Sequence, residues 1–168
     1  VMADMMKIMA AAAQKGSAEL PEIGAAIEQA GMQAKLSGVS FSEANAAIQV
    51  LDKAGKKGAE GGVALRNVLS VMGEGRFMPK QTKEAIEAAG ISVEALGNKT
   101  TPLNQRLNLL KPLLNDTALL TKLFGKENSA AGIALLQGAA DVESYNTAIQ
   151  GTTSAVDQAN VVMESYEE

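Results

Sequence analysis

Apolar residues in this chain recur at spacings of three and four, in short runs that end at glycine or proline. A run of that kind forms a helix with one apolar stripe, and the stripe is buried only by packing against another helix. Interruptions this frequent exclude a continuous rod. No segment keeps a two-residue alternation, so no strands are expected. The reading is all-α: a compact array of short helices and helical hairpins joined by Gly-rich turns. Aromatic residues make up only 3% of the 168, while alanine is the commonest residue. The helices must therefore approach closely through Ala and Leu, without a large aromatic core. At this length one domain suffices.

The stripes set the expected elements. Met2, Met6, Met9 and Ala13 give a first helix that ends before Gly16, with its methionines read as core. Pro21 opens a second on Ile23, Ile27, Ala30 and Ala34, closed by Gly38. Ser40 and Glu43 have capping-box spacing and open a third on Ala44, Ala47, Ile48 and Leu51. Its outward face reads as Glu43, Asn45, Gln49, Asp52 and Lys53. Gly55, Gly58, Gly61 and Gly62 then form a Lys-bearing loop before a fourth helix on Leu65, Val68, Leu69 and Met72. Gly73 and Gly75 end that helix. Pro79 starts a shorter one that Gly90 stops, and Ser92 to Leu96 makes a single turn. Thr101-Pro102 supplies a cap and a first-turn proline for Leu103, Leu107, Leu110 and Leu114, and Pro112 kinks or shortens the helix. Asp116 caps Leu119, Leu120, Leu123 and Phe124, which Gly125 ends. Ser129 to Gln137, Asp141 to Ala148 and Ser154 to Tyr166 make three more stretches, the last on Ala155, Ala159, Val162 and Tyr166.

Charge divides the chain. All fifteen Lys and Arg lie at or before Lys126, with twelve of the nineteen acids, whereas Glu127 to Glu168 holds seven acids and no base. This suggests a helical core over 1–126 and an acidic helical extension over 127–168 packed on it, within one domain. Neither part has the dense basic patch of a nucleic-acid footprint, and no apolar run approaches the ~18 residues of a membrane span. The first residues lack a basic leader and begin at Val1, which reads as a piece of a longer chain. The chain has no Cys and no His. That removes disulfides, thiolate sites, the usual zinc ligand sets and the usual proton shuttle at neutral pH. No catalytic, cofactor-binding or metal residue is assigned, and no cofactor or small-molecule substrate is expected.

Four motifs have simpler readings. Gly55-Lys56-Lys57-Gly58-Ala59-Glu60-Gly61-Gly62 lacks the Lys-Ser/Thr pair and preceding strand of a phosphate loop, and reads as a flexible turn. Glu143-Ser144 and Glu164-Ser165 resemble the Glu-Ser pair of lytic transglycosylases, but the Gly, Met and Gln segment of that pattern follows neither. Residues Gly38 to Gly55 have helix-turn-helix spacing, yet the outward face of the second helix is nearly neutral. Asn98-Lys99-Thr100 and Asn115-Asp116-Thr117 match glycosylation acceptors and read as turns and caps.

Three stretches in order resemble one family. They are Ala30 to Ala44 running on to Leu51–Gly55 and Ala64–Leu69; Ala89-Gly90-Ile91-Ser92 with Gly97 and Leu103 to Leu110; and Leu123-Phe124-Gly125-Lys126-Glu127 leading to Leu135-Leu136. Together, over roughly Ser17 to Gln137, they are similar to the conserved core of tail tape measure proteins of long-tailed phages and prophages. The resemblance implies a virion structural protein that lines the tail tube, guides its assembly and sets its length. It would be found in the tail, or in the host cytoplasm during assembly. The implied partners are tube protein, a tail chaperone or further copies of the chain. The residues that carry the resemblance, Gly38, Gly55, Gly90, Phe124 and Gly125, read as turn and packing positions. Leu65, Leu69, Leu107 and Leu110 are expected in the core on their stripes. A helical protein-binding module of a secreted or signalling bacterial protein is the alternative. A cell-wall glycosidase using Glu143 or Glu164 is the third reading.

Overall fold

Ser40 and Glu43 close a reciprocal cap: the Ser40 hydroxyl accepts from the Glu43 N–H, and the Glu43 carboxylate accepts from the Ser40 N–H. This cap starts the helix on which the rest of the molecule is assembled. The computed structural model describes residues 2–167, with side chains described through Thr153. In chain order the helices are α1 (Met2–Lys15), α2 (Leu20–Leu36), α3 (Phe41–Lys53), α4 (Gly58–Gly73) and α5 (Lys80–Ala88). They continue with α6 (Val93–Leu96), α7 (Leu103–Leu110), α8 (Thr117–Phe124), α9 (Ser129–Gln137) and α10 (Ala139–Glu167). Short 3₁₀ turns at Gly75–Phe77 and Lys111–Asn115 link neighbours, and no strand occurs among the described residues.

The helix α3 lies at the centre. It packs against α1, α2, α4, α9 and α10, and every residue from Ala44 to Asp52 is buried. This corrects the expected outward face: Asn45, Gln49 and Asp52 are covered by protein, and only Lys53 is exposed. The physical reason is the size of the surrounding side chains. Ala44, Ala46, Ala47 and Val50 let helices close in from several sides, so the polar stripe is enclosed, with Gln49 bonded to the α1–α2 connection while one side-chain oxygen each of Asn45 and Asp52 has no partner among the described residues. A DNA-reading role for this helix is removed by the same enclosure.

The pairing of α2 with α4 is the most extensive in the molecule. Gly61 and Gly62, expected in the loop, belong to α4, which begins at Gly58. At Gly62 the two backbones meet so closely that a Cβ would lie 2.2 Å from the Ala26 carbonyl oxygen. Glycine there serves close approach within a helix instead of breaking it.

Three further expectations are revised. The N–H of Leu103, at the start of α7, is capped by the distant Glu43 carboxylate (2.7 Å), not by Thr101. The two stretches after Asp141 join into one helix, α10, which continues through Gly151. A glycine inside a helix costs only about 1 kcal/mol, less than a break in the hydrogen-bond ladder. The methionine stripe of α1 is not core: Met2 is 79% and Met6 54% exposed, Met9 is half-buried, and the helix seats itself through Ala11 and Ala12. The side chains of Ala155, Ala159, Val162, Glu164 and Tyr166 lie outside the described residues.

Candidate interaction surface

The described residues form no cluster of acidic side chains that could hold a metal ion. What they form is an apolar groove of about 390 Å³ where α1, α2 and the start of α3 meet. Met5 borders it from α1, Ile27, Gly31 and Lys35 from α2, and Val39 and Phe41 from the α2–α3 turn and α3. Met5, Met2 and Met6 are exposed on the α1 flank. Methionine is flexible and polarisable, and surfaces rich in it adapt to apolar partners. The methionine that lines the groove is Met5, which lies off the Met2, Met6 and Met9 stripe read as core, so that stripe did not announce the groove.

Polar side chains tie both ends of α3 to its neighbours. Gln49 on α3 accepts from the Ala18 N–H (3.0 Å) and donates to the Ala12 carbonyl (3.0 Å), tying the α1–α2 connection to the central helix. Asp52 accepts from the Ser17 hydroxyl and pairs with Lys57 at 3.3 Å. At the other end of α3, Glu43 joins the caps of α3 and α7. Arg106 on α7 is 1% exposed and donates through Nη1 to the Ser37 carbonyl (2.9 Å), while its Nε and Nη2 find no partner among the described residues. Burial pulls the Arg106 guanidinium below its ordinary range, and the charge of Glu43 opposes part of that shift. Arg106 was not singled out from the sequence, although its place between Leu103 and Leu110 on the buried stripe was a readable sign.

The motif positions fall elsewhere. Leu65, Leu69, Leu107, Leu110 and Phe124 are buried in one hydrophobic cluster. Gly38 has φ +70°, and a Cβ there would lie 2.2 Å from the Lys99 carbonyl, so this turn admits only glycine. Gly55, Gly90 and Gly125 also hold positive φ at exposed helix ends. These residues shape the scaffold and come together in no single site. Asn98 accepts from both the N–H and hydroxyl of Thr100, and Asp116 caps Leu119, so both acceptor triplets are turn and cap elements. Glu143 is exposed on α10.

A family model described as phage-related minor tail protein matches residues 1–125. The chain belongs to that family. The match starts with the groove-lining α1 and ends at Gly125, directly after α8, so that α9 and α10 lie beyond it. Membership gives the chain a structural role in a phage tail. No curated protein and no solved structure matches the chain. No helix among the described residues is long and apolar enough to cross a membrane.

Proposed function

We propose that this chain is a module of a tail tape measure protein and works through helix–helix contacts with other tail proteins, without catalysis. The observation that carries the reading is the apolar, Met-flanked groove on a chain of the minor tail family. Such a groove suits the apolar face of an amphipathic helix. The order of the Gly38 to Glu43 turn, the Gly90-Ile91 turn and Phe124-Gly125 supports the narrower assignment within the tail. Extended as one helix, 168 residues would span ~250 Å; folded as here, the expected radius of gyration is about 15 Å. A compact module therefore adds little to a ruler, and its contribution is attachment and assembly.

The test is an in-frame deletion of this module from its phage or prophage, with tails counted and measured by electron microscopy. Loss of tails, or tails of altered length, is the expected outcome. Tails of normal number and length would overturn the reading. Absence of catalysis is tested by incubation with purified peptidoglycan. General-acid cleavage of a glycosidic bond draws on a carboxyl in an apolar cleft, whereas Glu143 is exposed. No soluble muropeptides are expected; release that Glu143→Gln or Glu164→Gln removes would refute this.

A further inference from the structure

A single residue, Gly138, separates α9 from α10, and helical bonding runs up to it from both sides. The Gly138 N–H donates to the Ala134 carbonyl (2.9 Å), and the Gly138 carbonyl accepts from the Val142 N–H (2.9 Å). Its backbone, at φ −95° and ψ 14°, is a modest rotation from the helical values of about −63° and −42°. What holds the bend is packing. Gly138 is buried against α3, where a Cβ would lie 2.6 Å from Val50 Cγ1. Beyond the bend, α10 packs on α3, α1 and α7 and only lightly on α9. It runs antiparallel to α3: Asp141 shares a cleft with Lys53 at one end, and Asn146 and Gln150 share one with Ser40 and Glu43 at the other.

We infer that α10 swaps between two copies of this chain: α9 and α10 straighten at Gly138 into one helix, and each α10 seats on α3 of the other copy. A second copy fits the vacated seat because it carries the same helix. Every contact that α10 makes within one molecule is remade between two, Val142 and Ile149 in the core and Asp141 beside Lys53 included. A lone open copy would instead expose those side chains and the buried face of α3, so opening is completed only by pairing. The closed and swapped forms then differ at the hinge alone. Straightening completes the hydrogen-bond ladder and frees Gly138 from Val50, whereas pairing costs the freedom of one molecule. The balance is therefore set by concentration and by the residue at 138. The swapped helices lie outside residues 1–125, so the family scaffold is the same in both forms. The inference is independent of the tape-measure reading.

The native 168-residue chain, refolded at about 1 mM, should show a dimer in sedimentation velocity. Gly138→Ala should strengthen it: a methyl collides with Val50 in the bent form, and alanine favours the straight helix over glycine. Two hinges straighten per dimer, so the dissociation constant should fall at least about tenfold. Insertion of Gly-Ser-Gly after Gly138 relaxes the bend within one molecule and should abolish the dimer; it carries the test if Gly138→Ala does not fold. The chain has no Cys, so introduced thiols distinguish a swap from side-by-side contact. Lys53 and Asp141 are exposed in one cleft. Lys53→Cys and Asp141→Cys chains, refolded together and treated with a short bifunctional thiol reagent, should give a covalent heterodimer, and neither chain alone should crosslink to itself. A native chain without dimer, a Gly138→Ala dimer no stronger than the native one, an inserted chain that dimerises like the native, or a mixture without the covalent heterodimer would overturn the inference.

Discussion

Glu43 and Arg106 show how one residue can serve several purposes at once. The Glu43 carboxylate caps α3 through the Ser40 N–H and α7 through the Leu103 N–H, and its charge offsets the buried Arg106. Glu43→Ala removes all three. Loss of a helix cap costs about 1 kcal/mol, and stranding a buried charge costs several, tempered here because Glu43 is only half-buried. A total near 3 kcal/mol is expected in urea denaturation. Arg106→Met removes the charge but keeps the volume, and is expected to cost about 1 kcal/mol or less; equal losses in the two variants would show that Arg106 draws nothing from Glu43. For a base held below its usual pKa in the fold, stability rises with pH only between that lowered value and the ordinary arginine range, far above neutral pH. At neutral pH Arg106 is charged in both states, and its desolvation cost is present in full. Two glycines make a second contrast. Gly62→Ala drives a methyl into the Ala26 backbone and should cost about 1–3 kcal/mol, whereas Gly31→Ala should be neutral or stabilise by up to about 1 kcal/mol. Matching thermal melts for both would contradict the close α2–α4 approach.

At the scale of elements, α3 organises the fold, and its polar stripe was the least legible part of the sequence. Asn45, Gln49 and Asp52 repeat at four and three, the pattern of a solvated face, and nothing in that pattern says that α1, α2 and α10 converge on it. The same period with local chemistry was readable where capping decides the outcome. Ser40-x-x-Glu43, Asp116, Gly38 and Gly125 mark helix ends by side-chain acceptors or positive φ, which are properties of the residues themselves. Gly61 and Gly62 read as breaks, and residues 149–153 as a gap between two helices, because glycine signals either a turn or a helix interior, and only tertiary contact or helix propagation decides between them. The groove was not legible: the Met2, Met6 and Met9 stripe announced an apolar face, but α1 packs through alanine, leaves Met2 and Met6 outside, and lines the groove with Met5. Gln49 gives the test at this scale. Gln49→Ala strands the Ala18 N–H, while the Ala12 carbonyl keeps the Gly16 N–H, at about 1–3 kcal/mol. Amide exchange should quicken first over residues 12–18. Quickening spread evenly over the molecule would mean that Gln49 is not the tie between α1, α2 and α3.

On the scale of the whole molecule, the two charge regions differ in what holds them. The described core is one cluster from Ala11 to Ile149, so α9 and the start of α10 share it with the preceding helices. We propose that 127–168 nevertheless behaves as an extension docked on 1–126. Its seven acids have no Lys or Arg within the segment, and Asp141 faces the same cleft as Lys53 at the end of α3. From Ala139 to Thr153 the buried apolar side chains are Ala139, Val142 and Ile149, whereas residues 103–124 bury five leucines and a phenylalanine besides Leu113. Burial stabilises in proportion to apolar area, about 25 cal/mol per Å², so the described part of α10 gains less per turn than α7 and α8. It depends correspondingly more on charge attraction to the basic region. Amides from Asp141 to Thr153 should therefore exchange sooner than those from Leu103 to Phe124. At 1 M salt, where screening acts within about 3 Å, the gap should widen, because the docking charges are weakened while the leucine packing is not. Equal protection of both regions, unchanged by salt, would mean that α10 is part of the same cooperative unit as α7 and α8 and that no boundary exists near residue 126.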